Sequence, residues 1–145
     1  KAAEQYHVES QYNLGCMYDE GRGILKNYKT AIKWYTKAAG NGDFRSRYCL
    51  GIIYQETNGI PVDNLRAYMW FNLANLDHES FLHWPRPTEK MDELATKMTP
   101  GDVSKAQIMS KNYLEWGIID NIDKAKHNFK VIWGWVRAFI YWLWK

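Results

Sequence analysis

Apolar residues recur at helical spacing through the first 75 positions of the chain. Leu14 and Tyr18 lie four apart with Gly15 beside Leu14, one stripe on a helix expected over 8–20. Ala31, Trp34, Tyr35 and Ala38 form a second stripe, on a helix over 28–39. The same signatures return as Leu50, Gly51 and Tyr54 on a helix over 44–55, and as Ala67, Trp70, Phe71 and Ala74 on a helix over 64–75. Gly21-Arg22-Gly23 and Asn58-Gly59 stand where the first helix of each pair should stop, because Gly and Asn tolerate the left-handed backbone of a helix end. Asn27 and Asp63 are expected to cap the second helices, and Gly40 and Gly42 to separate the pairs.

The pattern is a repeat. Residues 10–38 laid over 46–74 agree at 11 of 29 positions at an offset of 36, where chance gives about two. The matches include Ser10/Ser46, Tyr12/Tyr48, Leu14/Leu50, Gly15/Gly51, Tyr18/Tyr54, Gly23/Gly59, Ala31/Ala67 and Trp34/Trp70. A glycine inside a helix costs about 1 kcal/mol against alanine. Its return at Gly15 and Gly51 implies a neighbouring helix too close to admit a Cβ.

On these residues the chain resembles the Sel1-like repeat family, relatives of the tetratricopeptide repeats. The family pattern has a small residue, Leu-Gly-x-x-Tyr, a Gly-x-Gly turn and Ala-x-x-Trp-Tyr/Phe-x-x-Ala-Ala. Here it reads Ser10, Leu14, Gly15, Tyr18, Gly21, Gly23, Ala31, Trp34, Tyr35, Ala38 and Ala39. Thr57 departs from it, as do Tyr6 and His78, which stand where Gly42 stands. The resemblance implies an all-α protein, an α-solenoid of stacked antiparallel helix pairs, with units at 8–42 and 44–78. Residues 66–116 resemble a bacterial ending of the family, which implies closing helices over 87–116 and a bacterial protein. Pro85 and Pro87 make 76–86 a loop, and Pro87 suits the first turn of a helix to Lys97. Thr99-Pro100-Gly101-Asp102 opens a last helix expected to reach about Trp116.

Charge separates body from tail. Residues 1–116 carry as many Lys and Arg as Asp and Glu, so the net +3 belongs to 117–145. A neutral body argues against nucleic acid as a partner. Residues 131–144 are apolar apart from Arg137, and as a helix they rise about 21 Å, short of a roughly 30 Å hydrocarbon core. Three roles fit this aromatic, basic tail: a helix docked on the end of the solenoid, an interfacial anchor giving membrane contact through 129–145, or a segment foreign to the fold. Lys1-Ala2-Ala3 matches Lys37-Ala38-Ala39, as if the chain opened at the end of a unit. Either self-association or the tail should then cover an exposed end. No leader peptide is visible, and the compartment stays open.

Catalytic chemistry finds no support in the sequence, and the expectation is a protein that is not an enzyme. A β-lactamase-like hydrolase, described for some cysteine-rich members of the family, would call for Ser-x-x-Lys; the nearest match is Thr30-Ala-Ile-Lys33. Cys16 and Cys49 read as small buried hydrophobes rather than a zinc or disulfide pair. Asp77, His78, Glu79 and His83 match no strong metal motif, so no metal or cofactor is expected. In related solenoids the first helix of each pair lines the concave face. This places Glu9, Tyr12 and Asp19, with Arg45, Tyr48 and Gln55, toward a protein or peptide partner. Cys16 and Ile52 share the spacing but suit the core. Tyr12 and Tyr48 are either anchors for a partner or rings packed between units.

Overall fold

The computed structural model describes residues 2–56, 59–76 and 84–115, with side chains from His7 onward. Among the described residues all regular structure is helical, in six stretches: α1 (Ala2–Glu20), α2 (Tyr28–Gly40), α3 (Phe44–Glu56), α4 (Asn64–Asn75), α5 (Pro87–Ala95) and α6 (residues 100–115). The chain divides into two compact units, Lys1–Ser110 and Lys111–Lys145. The first holds two antiparallel hairpins, α1/α2 and α3/α4, with α2 packed on α3 and α4 on α5. In the second, the described residues 111–115 are helical, and Lys111 reaches Glu115 at 3.9 Å. The expected tail roles and the 77–83 metal motif lie outside the described residues.

The repeat is visible bond by bond. Asn27 Oδ1 accepts the Thr30 N–H at 3.0 Å, and Asp63 Oδ1 accepts the Arg66 N–H at 2.9 Å, so each caps its helix as expected. The backbone N–H of Asn27 donates to the Tyr18 carbonyl at 2.8 Å, and that of Asp63 to the Tyr54 carbonyl at 2.9 Å. These bonds close equivalent loops. Gly23 and Gly59 take φ of 73° and 91° within them, a conformation in which a side chain would be strained.

Three boundaries differ from expectation. Helix α1 begins at Ala2 rather than Val8. Tyr6 stands where the next hairpin has Gly42, and without a glycine at that point the helix is not broken. Gly40 stays helical, and the break falls at Gly42, φ 88°. Helix α5 stops at Ala95, short of Lys97, where a tight turn brings the Lys97 N–H to the Leu94 carbonyl at 2.9 Å.

The recurring glycines are explained by rings rather than by backbone. A Cβ on Gly15 would lie 2.5 Å from the Tyr35 ring, and one on Gly51 would lie 2.6 Å from the Phe71 ring. Tyr35 and Phe71, equivalent residues of the two second helices, each pack against their own hairpin's glycine. Phe71 belongs to a core with Phe44, Tyr48, Ala67, Tyr68 and Ala74, which Leu94 of α5 and Ala106 of α6 complete. Thr99 Oγ1 accepts the Asp102 N–H at 3.1 Å and caps α6. Ser110 Oγ then donates to the Met69 carbonyl at 3.2 Å, tying α6 to α4.

A buried cation joins the hairpins. Arg47 is almost wholly enclosed; its Nε donates to the Ala39 carbonyl and its Nη1 to the Leu73 carbonyl, both at 3.3 Å. Those carbonyls lie in the last turns of α2 and α4, the negative ends of two helix dipoles. The equivalent residue of the first hairpin is Gln11, whose Oε1 accepts from Asn41 Nδ2 at 3.2 Å.

Candidate protein-binding face

Helices α1 and α3 meet through residues 36 apart, so the contact joins equivalent rungs. Arg45 Nη1 donates to Glu9 Oε1 at 3.1 Å and Nη2 to Glu9 Oε2 at 2.6 Å, a bidentate pair. Its Nε donates to Asp43 Oδ1 at 3.0 Å. The guanidinium carbon stands 4.1 Å from the centre of the Tyr12 ring. Two carboxylates therefore hold Arg45 over the Tyr12 ring, where cation–π attraction adds about 0.5–1 kcal/mol. Asp43 is itself fixed, because its Oδ2 accepts from the Ser46 N–H and hydroxyl at 2.9 and 2.6 Å and so caps α3.

Tyr12 is half-buried. Its ring lies 6.0 Å from that of Tyr35, at 39°. Beneath it is a small polar cluster. The Tyr35 hydroxyl donates to Asp19 Oδ2 at 3.1 Å and faces Cys16 Sγ at 3.5 Å. Burial raises the pKa of Tyr12, Tyr35 and Asp19 above their ordinary values, the Tyr35 hydroxyl partly offsetting this at Asp19. Burial also pushes the Cys49 thiol up to about 12, leaving it protonated and inert at neutral pH. Cys16 and Cys49 are free, Cys16 buried as expected. Among the described residues no group of three His, Cys, Asp or Glu could hold a metal ion, and no helix is long and apolar enough to cross a membrane.

The structure divides the six expected partner-facing residues. Glu9, Tyr12 and Arg45 come together at or near the surface, and Asp19, further along α1, bonds the Tyr35 hydroxyl. Tyr48 is only 7% exposed, its ring edge-on to Phe71 and Trp84 at 5.3 and 5.7 Å. Trp84 packs edge-on to Tyr48, whereas Arg45 lies over Tyr12. Gln55 is buried as well, with its Nε2 donating to Glu93 Oε1 of α5 at 3.1 Å. Asp43 and Trp84 were missed in the sequence. For Asp43 the available signal was its place three residues before Ser46; for Trp84 spacing offered none.

Gln55 shows what a single atom does to a repeat. It occupies the position of Asp19, and Phe71 that of Tyr35. With no phenol opposite, Gln55 Oε1 is buried without a hydrogen-bond partner among the described residues. Phe71→Tyr should supply the missing donor and raise stability by about 1 kcal/mol, the net worth of a buried hydrogen bond. Denaturant unfolding checks this, and a loss of stability would mean that the hydroxyl does not reach Gln55.

The Glu9–Arg45 pair has a signed pH dependence. Hydrogen bonding from Arg45 holds the Glu9 carboxyl below its usual range, against a small effect of burial. Burial opposes the charge on Arg45, but Glu9 and Asp43 more than compensate and raise its pKa. Because the folded pKa of Glu9 lies below its unfolded value, the pair contributes above the unfolded pKa and is lost as pH falls through the folded one. Half-exposed, it should be worth up to about 1 kcal/mol. Glu9→Gln is therefore expected to cost that much at pH 7 and nothing in strong acid, as read from chemical melts across pH.

Stacked antiparallel hairpins with one rung repeated at 36 residues define an α-solenoid of helical repeats. The Sel1 repeat family model matches residues 8–43 and 46–76. The chain therefore carries two Sel1 repeats over those residues. It is similar to a solved structure of c5321, a protective antigen of uropathogenic Escherichia coli displaying an SLR fold. That match has a TM-score of 0.65 and 30% identity, covering 74% of this chain and 22% of the antigen. It is also similar to a Sel1 repeat protein from Oxalobacter formigenes, with a TM-score of 0.55 and 29% identity, over 64% of this chain and 36% of that one. A stretch of 45 residues is 44% identical to the chitin synthase regulator SKT5 of Saccharomyces cerevisiae, spanning 31% of this chain and 6% of the yeast protein. The chain thus spans about a third or less of each of these three proteins.

Proposed function

We propose that the first unit is a protein-binding scaffold that takes a peptide or partner domain along the face of α1 and α3. Sel1-repeat proteins generally act as interaction scaffolds, and one similar protein is named as a chitin synthase regulator. The observation that carries the reading is the rung of Glu9, Arg45 and Tyr12. An aromatic ring held in place before any partner arrives loses little side-chain freedom on binding. Tyr12 offers a ring edge and Glu9 an acceptor, while Asp19 lies about two helical turns beyond Tyr12. Tyr48 and Gln55 support this face from below.

A peptide display library panned on the chain supplies the probe, and the enriched peptides are then titrated against Tyr12→Ala. The expected result is binding weakened at least tenfold, about 1.4 kcal/mol, with the melting temperature nearly unchanged. Enriched peptides that bind Tyr12→Ala as tightly as the parent would end the proposal, as would a large fall in melting temperature, which makes Tyr12 a packing residue.

A further inference from the structure

Asn41 and Gly42 form the joint between the hairpins, where α2 ends and α3 is about to begin. Asparagine followed by glycine is the pair most prone to spontaneous deamidation, because glycine puts no side chain beside the attacking nitrogen. In that reaction the Gly42 backbone nitrogen loses its proton and attacks Cγ of Asn41. The side-chain nitrogen leaves as ammonia, and a five-membered succinimide remains. Water then opens the ring at either carbonyl, leaving aspartate or isoaspartate at position 41. The fold holds each participant out of place. The Gly42 N–H donates to the Ala39 carbonyl at 3.1 Å, so the nucleophile keeps its proton. Asn41 Nδ2 donates to the Lys37 carbonyl at 3.0 Å and to Gln11 Oε1 at 3.2 Å, so both hydrogens of the leaving group are engaged. Ring closure requires the Gly42 nitrogen to eclipse the Asn41 Cα–Cβ bond, and ψ of 13° keeps it well away from there. The same bonds build the joint. The Asp43 N–H donates to the Ala38 carbonyl at 3.0 Å, and Asp43 in turn caps α3 and holds Arg45.

We propose that Asn41 is a spontaneous modification site, gated by opening of the α2–α3 joint, and that its conversion leaves the joint permanently loosened. A carboxylate at position 41 has no proton to donate. Gln11 can turn its amide to meet it, but the Lys37 carbonyl cannot turn. Two oxygens then face each other at the negative end of the α2 dipole. Isoaspartate adds a methylene to the main chain, which carries Gly42 and Asp43 away from the Ala39 and Ala38 carbonyls. Opening exposes Asn41 to reaction, and reaction favours opening.

The test incubates the whole chain at mildly alkaline pH, folded in buffer and unfolded in urea. Tryptic peptide 38–45, in which Asn41 is the only amide side chain, is followed by mass for the gain that marks deamidation. Asn58, also followed by glycine, is read separately in peptide 48–66. The expected result is conversion of Asn41 in urea and conversion at least about tenfold slower in the folded chain, the measure of how seldom the joint opens. Asn41→Asp, made directly, should lower the melting temperature by about 4 °C or more. Should Asn41→Asp fail to fold, folded protein aged until Asn41 has converted, separated from its parent by the extra negative charge, supplies the same comparison. Equal rates in buffer and urea would overturn the gating, and an unreacted Asn41 in urea would overturn the site. Converted protein that melts with its parent would overturn the loosening.

Discussion

Arg47→Ala is expected to remove about 3 kcal/mol of stability, the loss of two hydrogen bonds from a charged donor together with the packing of its stem. For a chain of this size the melting temperature should fall by roughly 10 °C. The reason is geometric. The guanidinium sits where α2 and α4 both end, and its bonds to the Ala39 and Leu73 carbonyls tie the last turns of two hairpins to α3. Arg47→Gln should recover part of the loss, since an amide fills the equivalent place in the first hairpin at Gln11. Thermal unfolding followed by circular dichroism checks the series. A loss under about 1 kcal/mol for alanine would show that water replaces the cation at little cost.

Gly51→Ala should destabilise the protein although alanine is the better helix former by about 1 kcal/mol. The added methyl would stand 2.6 Å from the Phe71 ring, which is fully enclosed by Tyr48 and the rest of the core. Overpacking of this kind costs about 1–3 kcal/mol, and more where the ring cannot turn aside. The net expectation is a loss of about 2 kcal/mol after the helical gain is subtracted. A smaller partner should relieve it. Phe71→Leu is harmful alone but should cost less in the Gly51→Ala background, and a double-mutant cycle measures the difference. Gly101 is the control. A Cβ there meets Thr99 Oγ1 at an ordinary 3.7 Å, so Gly101→Ala should be neutral or stabilising by up to about 1 kcal/mol. If Gly51→Ala behaved like Gly101→Ala, the ring would not be what keeps position 51 bare.

Much of the fold was legible because repeats state their own constraints twice. The 36-residue offset gave the hairpins, and the caps at Asn27, Asp63 and Thr99 act as the local chemistry dictates. The candidate face was less legible. Helical spacing put Tyr12 and Tyr48 in one class, yet Arg45 lies over the first and Trp84 packs edge-on to the second. Spacing reports which side of a helix a residue occupies, not what comes to lie over it.

Local rules therefore settled what depends on neighbours within one or two helical turns: the helix positions, the left-handed glycines, the capping side chains and the membership of Leu14 and Trp34 in a repeated motif. Only the packed structure decided where Arg47 spends its charge and why Gly51 must lack a side chain. Those outcomes depend on atoms dozens of residues apart along the chain, and a one-dimensional pattern carries no distance between them.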